Sequence, residues 1–355
     1  MVDTLLSERE IRELVNDYGS QVNEGRTIEQ IIDNGDLPQL KGATIATGKV
    51  SDSVFGDALK TVDGKPLRLM YRCNRISTHD QNRGEIPFKD QVLAYNHDFM
   101  LQLVKRVLGT SQFDVPGLHP NSTVIPAENV SIILLENVLR IYMAESSTST
   151  SLYQHWLKAK NEGKQEFMYA GHEIRTDQLT PNGRLPYLMD TPSTKDKEDK
   201  TVDPSYLFNS GICTHSEYTQ IRNASRMAFG MVSEYLRNRG MVLVDTKTEH
   251  GRNSEGQIVS ADELYTMDSS RFWKLNNDGS ILYHDGKPVS FSKEFARGMI
   301  KEQGQKFTTE QSVEIAVRYI QGLQHLTGKP FEPDLRMRDE RIIESTNLIL
   351  DYLGV

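Results

Sequence analysis

Met241-Val242-Leu243-Val244-Asp245-Thr246-Lys247-Thr248-Glu249-His250-Gly251 is the stretch on which the reading of this chain turns. It opens as a short apolar strand and continues by alternating charged with hydroxyl-bearing side chains. On a β-strand successive side chains point to opposite faces, so Asp245, Lys247 and Glu249 share one face. Two carboxylates flanking an ammonium are costly to bury unless a ligand or a cation completes the charge balance. Downstream, Asn253, Ser254 and Gly256 predict a hairpin turn that sets Glu249 against Asp262, with Glu263 beside it. Paired oxygen ligands suit Mg2+ when substrate phosphate completes its coordination. A surface ladder of paired charges is the plain alternative.

Working backward from this strand, Thr214 with Glu217 makes a capping box. It opens an amphipathic helix with Tyr218, Ile221, Met227 or Ala228, Met231 and Tyr235 as core, stopped by Gly240. A polar loop occupies Asp190–Ser205. Ser131–Tyr142 reads as a buried strand, or a strand with a crossover, that carries Glu136 and Arg140. Lys89–Leu108 has a helical period, with Val92, Tyr95, Phe99, Leu103 and Val107 on one face and Gly109 as the stop. Before it, Ala43–Thr47, a turn at Gly48–Asp52, a hairpin turn at Asp63-Gly64-Lys65 and Leu67–Arg72 read as strands and their turns. The first forty residues look appended, a helix capped by Ser7 and Glu10 with Ile11, Leu14, Val15 and Tyr18 on one side. That stripe can dock on its own lobe or on a second subunit, so a homo-oligomer is allowed. Thr308–Leu326 and Asp339–Leu353 predict late helices ending at Gly328 and Gly354. Strand-rich first and mixed later, the order predicts an α+β fold. The expected division is a 1–40 extension, a β-rich lobe at 41–134 and a mixed lobe at 135–355.

The chain has 355 residues, 37% apolar and 25% charged, and no run nears the roughly 20 apolar residues of a membrane span. A net charge of -8 argues against a general nucleic-acid binder. Two cysteines, Cys73 and Cys213, make neither a disulfide framework nor a metal spacing, and with no secretory signal at the N-terminus they favour a cytoplasmic setting. Neither GxGxxG nor GxxxxGK[ST] is present. Thr191-Pro192-Ser193-Thr194-Lys195 joins three hydroxyls and an ammonium, a composition that suits phosphate but recurs in ordinary loops. In Arg75-Ile76-Ser77-Thr78-His79-Asp80 the Arg, Ser and Asp can equally cap a turn. His79 and His250 lack the spacing of metal ligands and read as structural or exposed. Cys73 reads as packing.

In this order, these segments resemble the phosphoribosylaminoimidazole-succinocarboxamide synthase (SAICAR synthetase) family. The matching residues are Gly48-Lys49-Val50, Arg75-Ile76-Ser77 with Asp80, Gly84-Glu85-Ile86-Pro87, Glu136 with Arg140 and Tyr142, and Leu185-Pro186. They continue through Thr191–Lys195, Asp245-Thr246-Lys247 with Glu249 and Gly251, Asp262-Glu263, Asp268–Trp273, and Lys293 with Phe295 and Arg297. The resemblance implies a two-lobed, distantly kinase-like α+β fold with ATP in the cleft between a nucleotide-binding lobe and a substrate- and metal-binding lobe. It implies ATP-dependent amide formation in purine biosynthesis: the carboxylate of CAIR is activated as an acyl phosphate, and L-aspartate displaces phosphate to give SAICAR.

Residue by residue, the resemblance assigns Glu249 and Asp262 to Mg2+ and places Lys247 and Asp245 in the catalytic strand. Asp80 would orient the second substrate or an amine proton. Gly48, Lys49, Val50, Leu134, Glu136 and Lys195 match nucleotide-binding positions, with apolar residues around Ile132–Leu135 lining adenine. Ser77, Arg140, Ser146, Asp203 and Arg271 match substrate-binding positions. The chain departs from the family at Ser51, where Arg or Lys is usual, and at Thr78-His79, Phe88-Lys89-Asp90, Glu145 and Met267. These departures leave room for a same-fold paralogue joining another carboxylate and amine, a non-catalytic nucleotide-binding protein, or a small-polyol kinase.

Overall fold

The computed structural model describes residues 4–78, 81–196, 199–302 and 304–355. Its helices, in chain order, are α1 (Glu8–Asn23), α2 (Ile28–Asp33), α3 (Lys89–Leu108), α4 (Leu152–Asn161), α5 (Pro204–Asn209), α6 (His215–Arg237), α7 (Glu294–Gly298), α8 (Thr309–Thr327) and α9 (Arg338–Leu353). The strands that matter below are β1 (Thr44–Thr47), β2 (Ser51–Lys60), β3 (Pro66–Arg72), β4 (Arg75–Thr78), β5 (Gln81–Glu85), β6 (Val124–Glu128), β7 (Ser131–Ile132) and β8 (Leu135–Tyr142). They continue with β9 (Glu166–Tyr169), β10 (His172–Arg175), β11 (Arg184–Asp190), β12 (Ser193–Thr194), β13 (Met241–Arg252), β14 (Ile258–Ala261) and β15 (Ser270–Lys274). The mixture is α+β, as expected. Among the described residues, no helix is long and apolar enough to cross a membrane.

The chain divides into two compact units. One comprises Met1–Gln102, Ser111–Val130 and Phe291–Val355; the other comprises Leu103–Thr110 and Ser131–Ser290. This corrects the expected division at both ends of the chain, because residues 1–40 and 291–355 cluster with the β-rich unit. The reason lies in packing that no local pattern reveals. Ile11, Val15 and Val22 of α1 are buried, and the Leu6 backbone exchanges two 3.0 Å hydrogen bonds with the Gln324 amide of α8. The appended helix thus docks on its own chain. Ile342, Ile349, Leu350 and Leu353 of α9 share one apolar cluster with Ile31, Leu37, Val54, Leu67 and Val124. Burial of that many aliphatic side chains, at about 25 cal/mol per Å² of apolar surface, is the main force holding α9 to the sheet β1-β2-β3-β6.

Capping chemistry places the helix ends as read. Ser7 and Glu10, then Thr214 and Glu217, exchange side-chain and backbone hydrogen bonds as capping boxes. Gly328 and Gly354 take the left-handed conformation that ends α8 and α9. The apolar stripe of α3 is corrected, and in α6 the choice left open between Met227 and Ala228 is decided. In α3 the buried face runs through Leu93, Met100, Leu101, Val104 and Leu108, leaving Tyr95, Phe99, Leu103 and Val107 half-buried. In α6 the buried residue is Ala228, while Met227 is 54% exposed. Both helices carry apolar residues on adjoining stripes, and only the partner surface selects between them.

The second unit is built on an antiparallel sheet in the order β11-β8-β13-β14, with β7 and β15 also on β13 and β12 on β8. Helix α6 lies against β13 and β8 and covers one face of this sheet. Arg222 and Arg226 of α6 both bond Asp190 of β11, at 3.0 and 2.6 Å.

Candidate active site

Opposite residues in an antiparallel ladder lie on the same face. Asp245 stands opposite both Arg140 of β8 and Arg271 of β15, Lys247 stands opposite Val138, and Ser193 of β12 stands opposite Glu136. Asp245, Lys247 and Glu249 therefore line one face of β13 together with Glu136, Arg140 and Arg271. The alternate residues Thr246, Thr248 and His250 are buried, with His250 near Ser225 of α6 and 3.2 Å from Thr248 Oγ1. Burial pushes the His250 imidazole down to about 4, which fits the structural role expected of it.

Charges alternate along the open face. Arg271 grips both oxygens of Asp245, with Nε 2.8 Å from Oδ1 and Nη2 bonded to Oδ2. Lys247 Nζ bonds Glu136 Oε1 at 2.5 Å and lies 3.9 Å from Glu249 Oε1. Lys195 bonds the other oxygen of Glu249. Ser193 Oγ donates to Glu136 Oε2 at 3.2 Å. Burial works against the Lys247 ammonium, but Glu136, with Glu249 and Glu263 adding to it, outweighs burial and holds the ammonium charged well above its usual range. For Glu249, burial and then the nearby Asp262 raise the carboxyl, against the pull of Lys195 and Lys247. Glu249 is a buried acid (7% exposed) at the edge of a face where the Lys247 side chain stays 40% exposed.

The hairpin predicted between Glu249 and Asp262 is present, displaced by one position. Glu249 pairs with Ala261, and Asp262 leaves the ladder in the left-handed conformation (φ 56°), which aspartate tolerates better than most residues. The two carboxylates still repel each other. Among the described residues, no three His, Cys, Asp or Glu side chains are gathered as a metal-binding group. A magnesium ion asks for less than that: one or two carboxylates, with phosphate and water oxygens completing its octahedron. Glu249 and Asp262 fit that demand in donor chemistry and in the charge they leave to be neutralised.

Arg140 donates from Nε to Thr191 Oγ1 at 2.8 Å, and its guanidinium lies 5.7 Å from the centre of the Tyr169 ring. Ser146 is buried; its Oγ accepts the Thr148 N–H at 3.2 Å and its carbonyl accepts the Gln154 amide at 2.7 Å. Glu145 is exposed between buried neighbours, its N–H held by Asn182 Oδ1 at 3.0 Å. Asp203 caps α5 through Ser205, which holds its carboxyl below the usual range, and a Cβ on Gly171 would collide with it. The run Ile132–Leu135 does not act as one surface. Ile133 and Leu135 belong to a core cluster with Leu207, Tyr218 and Ile221, and only Leu134 is strongly exposed, at 56%.

The first unit carries the remaining candidates. Gly48, Lys49 and Val50 form the turn between β1 and β2, with Lys49 exposed, and Ser51 begins β2 opposite Arg72. Ser77 lies half-buried in β4 opposite Asn82. Asp80 and His79 lie outside the described residues. The departure Phe88-Lys89-Asp90 proves to be a packing joint. Phe88 meets Phe331 edge to face, and Asp90 pairs with Arg341 of α9 at 3.1 Å in full burial. Sequence reasoning gave Tyr169 and Asn182 no part in the site, since neither stands in a recognisable spacing, and named Glu263 only as the neighbour of Asp262. Arg75 stood there among the family-matching residues, with turn capping as its plain alternative and no role of its own.

The face has an ammonium fixed among carboxylates, two guanidinium groups positioned on one side and a carboxylate pair on the other. Such a set stabilises a transferring phosphoryl group and an anionic substrate. A family model described as SAICAR synthetase matches residues 45–313 of the chain. The chain is 29% identical to a chloroplastic phosphoribosylaminoimidazole-succinocarboxamide synthase of Arabidopsis thaliana, over 84% of this chain and 73% of that protein. It is also 29% identical to the enzyme of that name from Legionella pneumophila (strain Paris), over 81% of this chain and 88% of that protein. Among solved structures, it resembles the SAICAR synthase of Saccharomyces cerevisiae complexed with SAICAR (TM-score 0.65, 22% identity, 83% of this chain and 98% of that one). It also resembles a type-2 SAICAR synthetase in complex with ADP (TM-score 0.59, 19% identity, 82% of this chain and 100% of that one). At those identities the structural likeness is one of fold.

Proposed function

The chain belongs to the SAICAR synthetase family, and from that premise we propose that it joins the carboxylate of CAIR to the amine of L-aspartate, giving SAICAR, ADP and phosphate in purine biosynthesis. The observation that carries this reading is Lys247, held charged between Glu136 and Glu249 on the open face of an antiparallel sheet.

A carboxylate is a poor electrophile, and phosphorylation supplies the leaving group that an amine can displace. The γ-phosphoryl passes to the CAIR carboxylate, ADP leaves, and the aspartate amine, once it has lost its proton, expels phosphate as the amide forms. Glu249 and Asp262 are the residues that would hold Mg2+, which when bound screens the triphosphate from the incoming anion. Lys247 places a fixed positive charge where the phosphoryl oxygens gather, and Glu136 keeps it aimed. In the second unit Lys195 of the β12 segment supplies a further cation toward ATP, with Leu134 offering an apolar surface; in the first unit the turn Gly48-Lys49-Val50 matches nucleotide-binding positions of the family. Arg140 and Arg271, fixed by Thr191 and Asp245, suit the phosphate of CAIR because a guanidinium fork binds two oxygens at once. Ser146, Ser77 and Asp203 complete the substrate contacts, and Asp80 orients the amine. Both cysteines are buried and unpaired, which suits a reducing cytoplasm.

The test is an assay of purified protein with Mg-ATP and CAIR, with and without aspartate, following ADP, phosphate and amide. Aspartate-dependent SAICAR supports the reading. ADP without coupled amide would point to a different acid and amine, and nucleotide binding without turnover to a non-catalytic protein.

A further inference from the structure

The turn that carries Lys49 is pinned at three backbone groups. Gly48 donates its N–H to the Ser51 carbonyl at 2.9 Å, and a Cβ on Gly48 would stand 2.5 Å from that oxygen, so the turn admits only glycine there. The Val50 carbonyl accepts the Cys73 N–H at 3.1 Å. The Gly48 carbonyl accepts a hydrogen bond from Arg75 Nη2 at 2.9 Å. The same guanidinium grips the Asp52 carboxylate with both arms, Nη2 to Oδ1 at 2.6 Å and Nη1 to Oδ2 at 3.2 Å. Asp52 and Arg75 are largely shielded, 14% and 24% exposed.

A planar guanidinium satisfies a carboxylate and a carbonyl in one geometry; a lysine ammonium has no such fork. In a trans peptide the C=O and the following N–H point in opposite directions. Fixing the Gly48 carbonyl on Arg75 therefore directs the Lys49 N–H away from Arg75. With the Val50 carbonyl fixed as well, the peptide before Lys49 and the peptide after Val50 are both held, and together they bracket the base of the exposed Lys49 side chain.

We propose that Arg75, locked in place by Asp52, is a positioning residue for the nucleotide phosphates, acting through the Gly48-Lys49 peptide. This rests on the reading of Lys49 as a phosphate contact. Arg75 itself touches no phosphate in this account.

The test measures ATP and ADP affinity by calorimetry on the full chain, with steady-state constants for ATP and CAIR. Arg75→Gln should weaken ATP binding about tenfold, the scale of one hydrogen bond to a charged group. KM for CAIR should stay within about twofold and kcat at saturating ATP within about threefold. Asp52→Asn, which preserves shape, should move ATP affinity the same way by a smaller factor, and Arg75→Lys should fail to restore it. The decisive variant is Lys49→Ala with Arg75→Gln. If Arg75 acts through Lys49, the pair binds ATP as weakly as Lys49→Ala alone. Losses that multiply in the pair, or unchanged ATP affinity in Arg75→Gln and Asp52→Asn, would overturn the proposal. Unchanged affinity in Lys49→Ala would overturn the phosphate reading of Lys49 and the proposal with it.

Discussion

Lys195 and Glu249, 54 residues apart, form a direct ion pair at the edge of the charged face. Each has its own role in the proposed chemistry, the lysine toward nucleotide and the glutamate toward a divalent cation. The ammonium sits where a cation is wanted, so lysine and metal compete for one carboxylate. Lys195→Met should bind Mn2+ without nucleotide about tenfold more tightly than the unmodified protein, a gain of about 1.4 kcal/mol, while binding ATP more weakly. Titration followed by electron paramagnetic resonance reads this directly, with Glu249→Gln as the variant that should lose the metal. Equal or weaker Mn2+ binding by Lys195→Met would remove the competition.

Lys247 is the charge around which the face is organised. Lys247→Met should lower kcat by about two to three orders of magnitude, as expected on deleting a group that stabilises developing charge. It also leaves Glu136 and Glu249 facing each other, so the carboxyl of Glu249 should titrate higher still. Activity within tenfold of the unmodified enzyme would show that Lys247 serves the fold alone.

The Asp90–Arg341 pair ties α3 to α9 in full burial, 0% and 4% exposed. Breaking such a pair from one side strands a charge in the interior. Arg341→Met should cost about 3–5 kcal/mol in urea unfolding, and adding Asp90→Leu should recover a large part of it. If the double variant is no more stable than the single one, the stranded charge is not the cause.

Arg252 bonds Glu217 at 2.6 Å and holds its carboxyl down to about 2. A carboxyl depressed on folding adds stability that is fully present above its unfolded value, near 4.5, and is lost as pH falls toward 2. Arg252→Gln should therefore lower the unfolding midpoint at pH 7, and the difference from the unmodified protein should narrow progressively below pH 4.5. A difference independent of pH would mean that Arg252 contributes packing rather than charge.

Much of this was legible locally. Capping boxes and terminal glycines are short-range chemistry, so α1, α6 and α8 begin at Ser7, Thr214 and Thr308 and α8 and α9 end at Gly328 and Gly354, whereas α1 runs past Gly19, where its apolar stripe was expected to stop, to Asn23. The common face of Asp245, Lys247 and Glu249 follows from the period of a strand. Met227 and Ala228, by contrast, are neighbours of similar hydrophobic character, and only the sheet beneath α6 decides which one is buried.

By itself the amino-acid order determined the α+β class, the family and the row of charges on one strand, because each depends on residue identity and on spacings of a few positions. The tertiary structure alone decided that Asp262 steps out of register by one, that Asp90 is a joint to α9, and that Arg75 braces the Lys49 turn. Those relationships join residues brought together by sheet register and by helices from both ends of the chain. Hydrophobic burial sets such distances without leaving a local signature, since it is indifferent to which apolar partner completes the core.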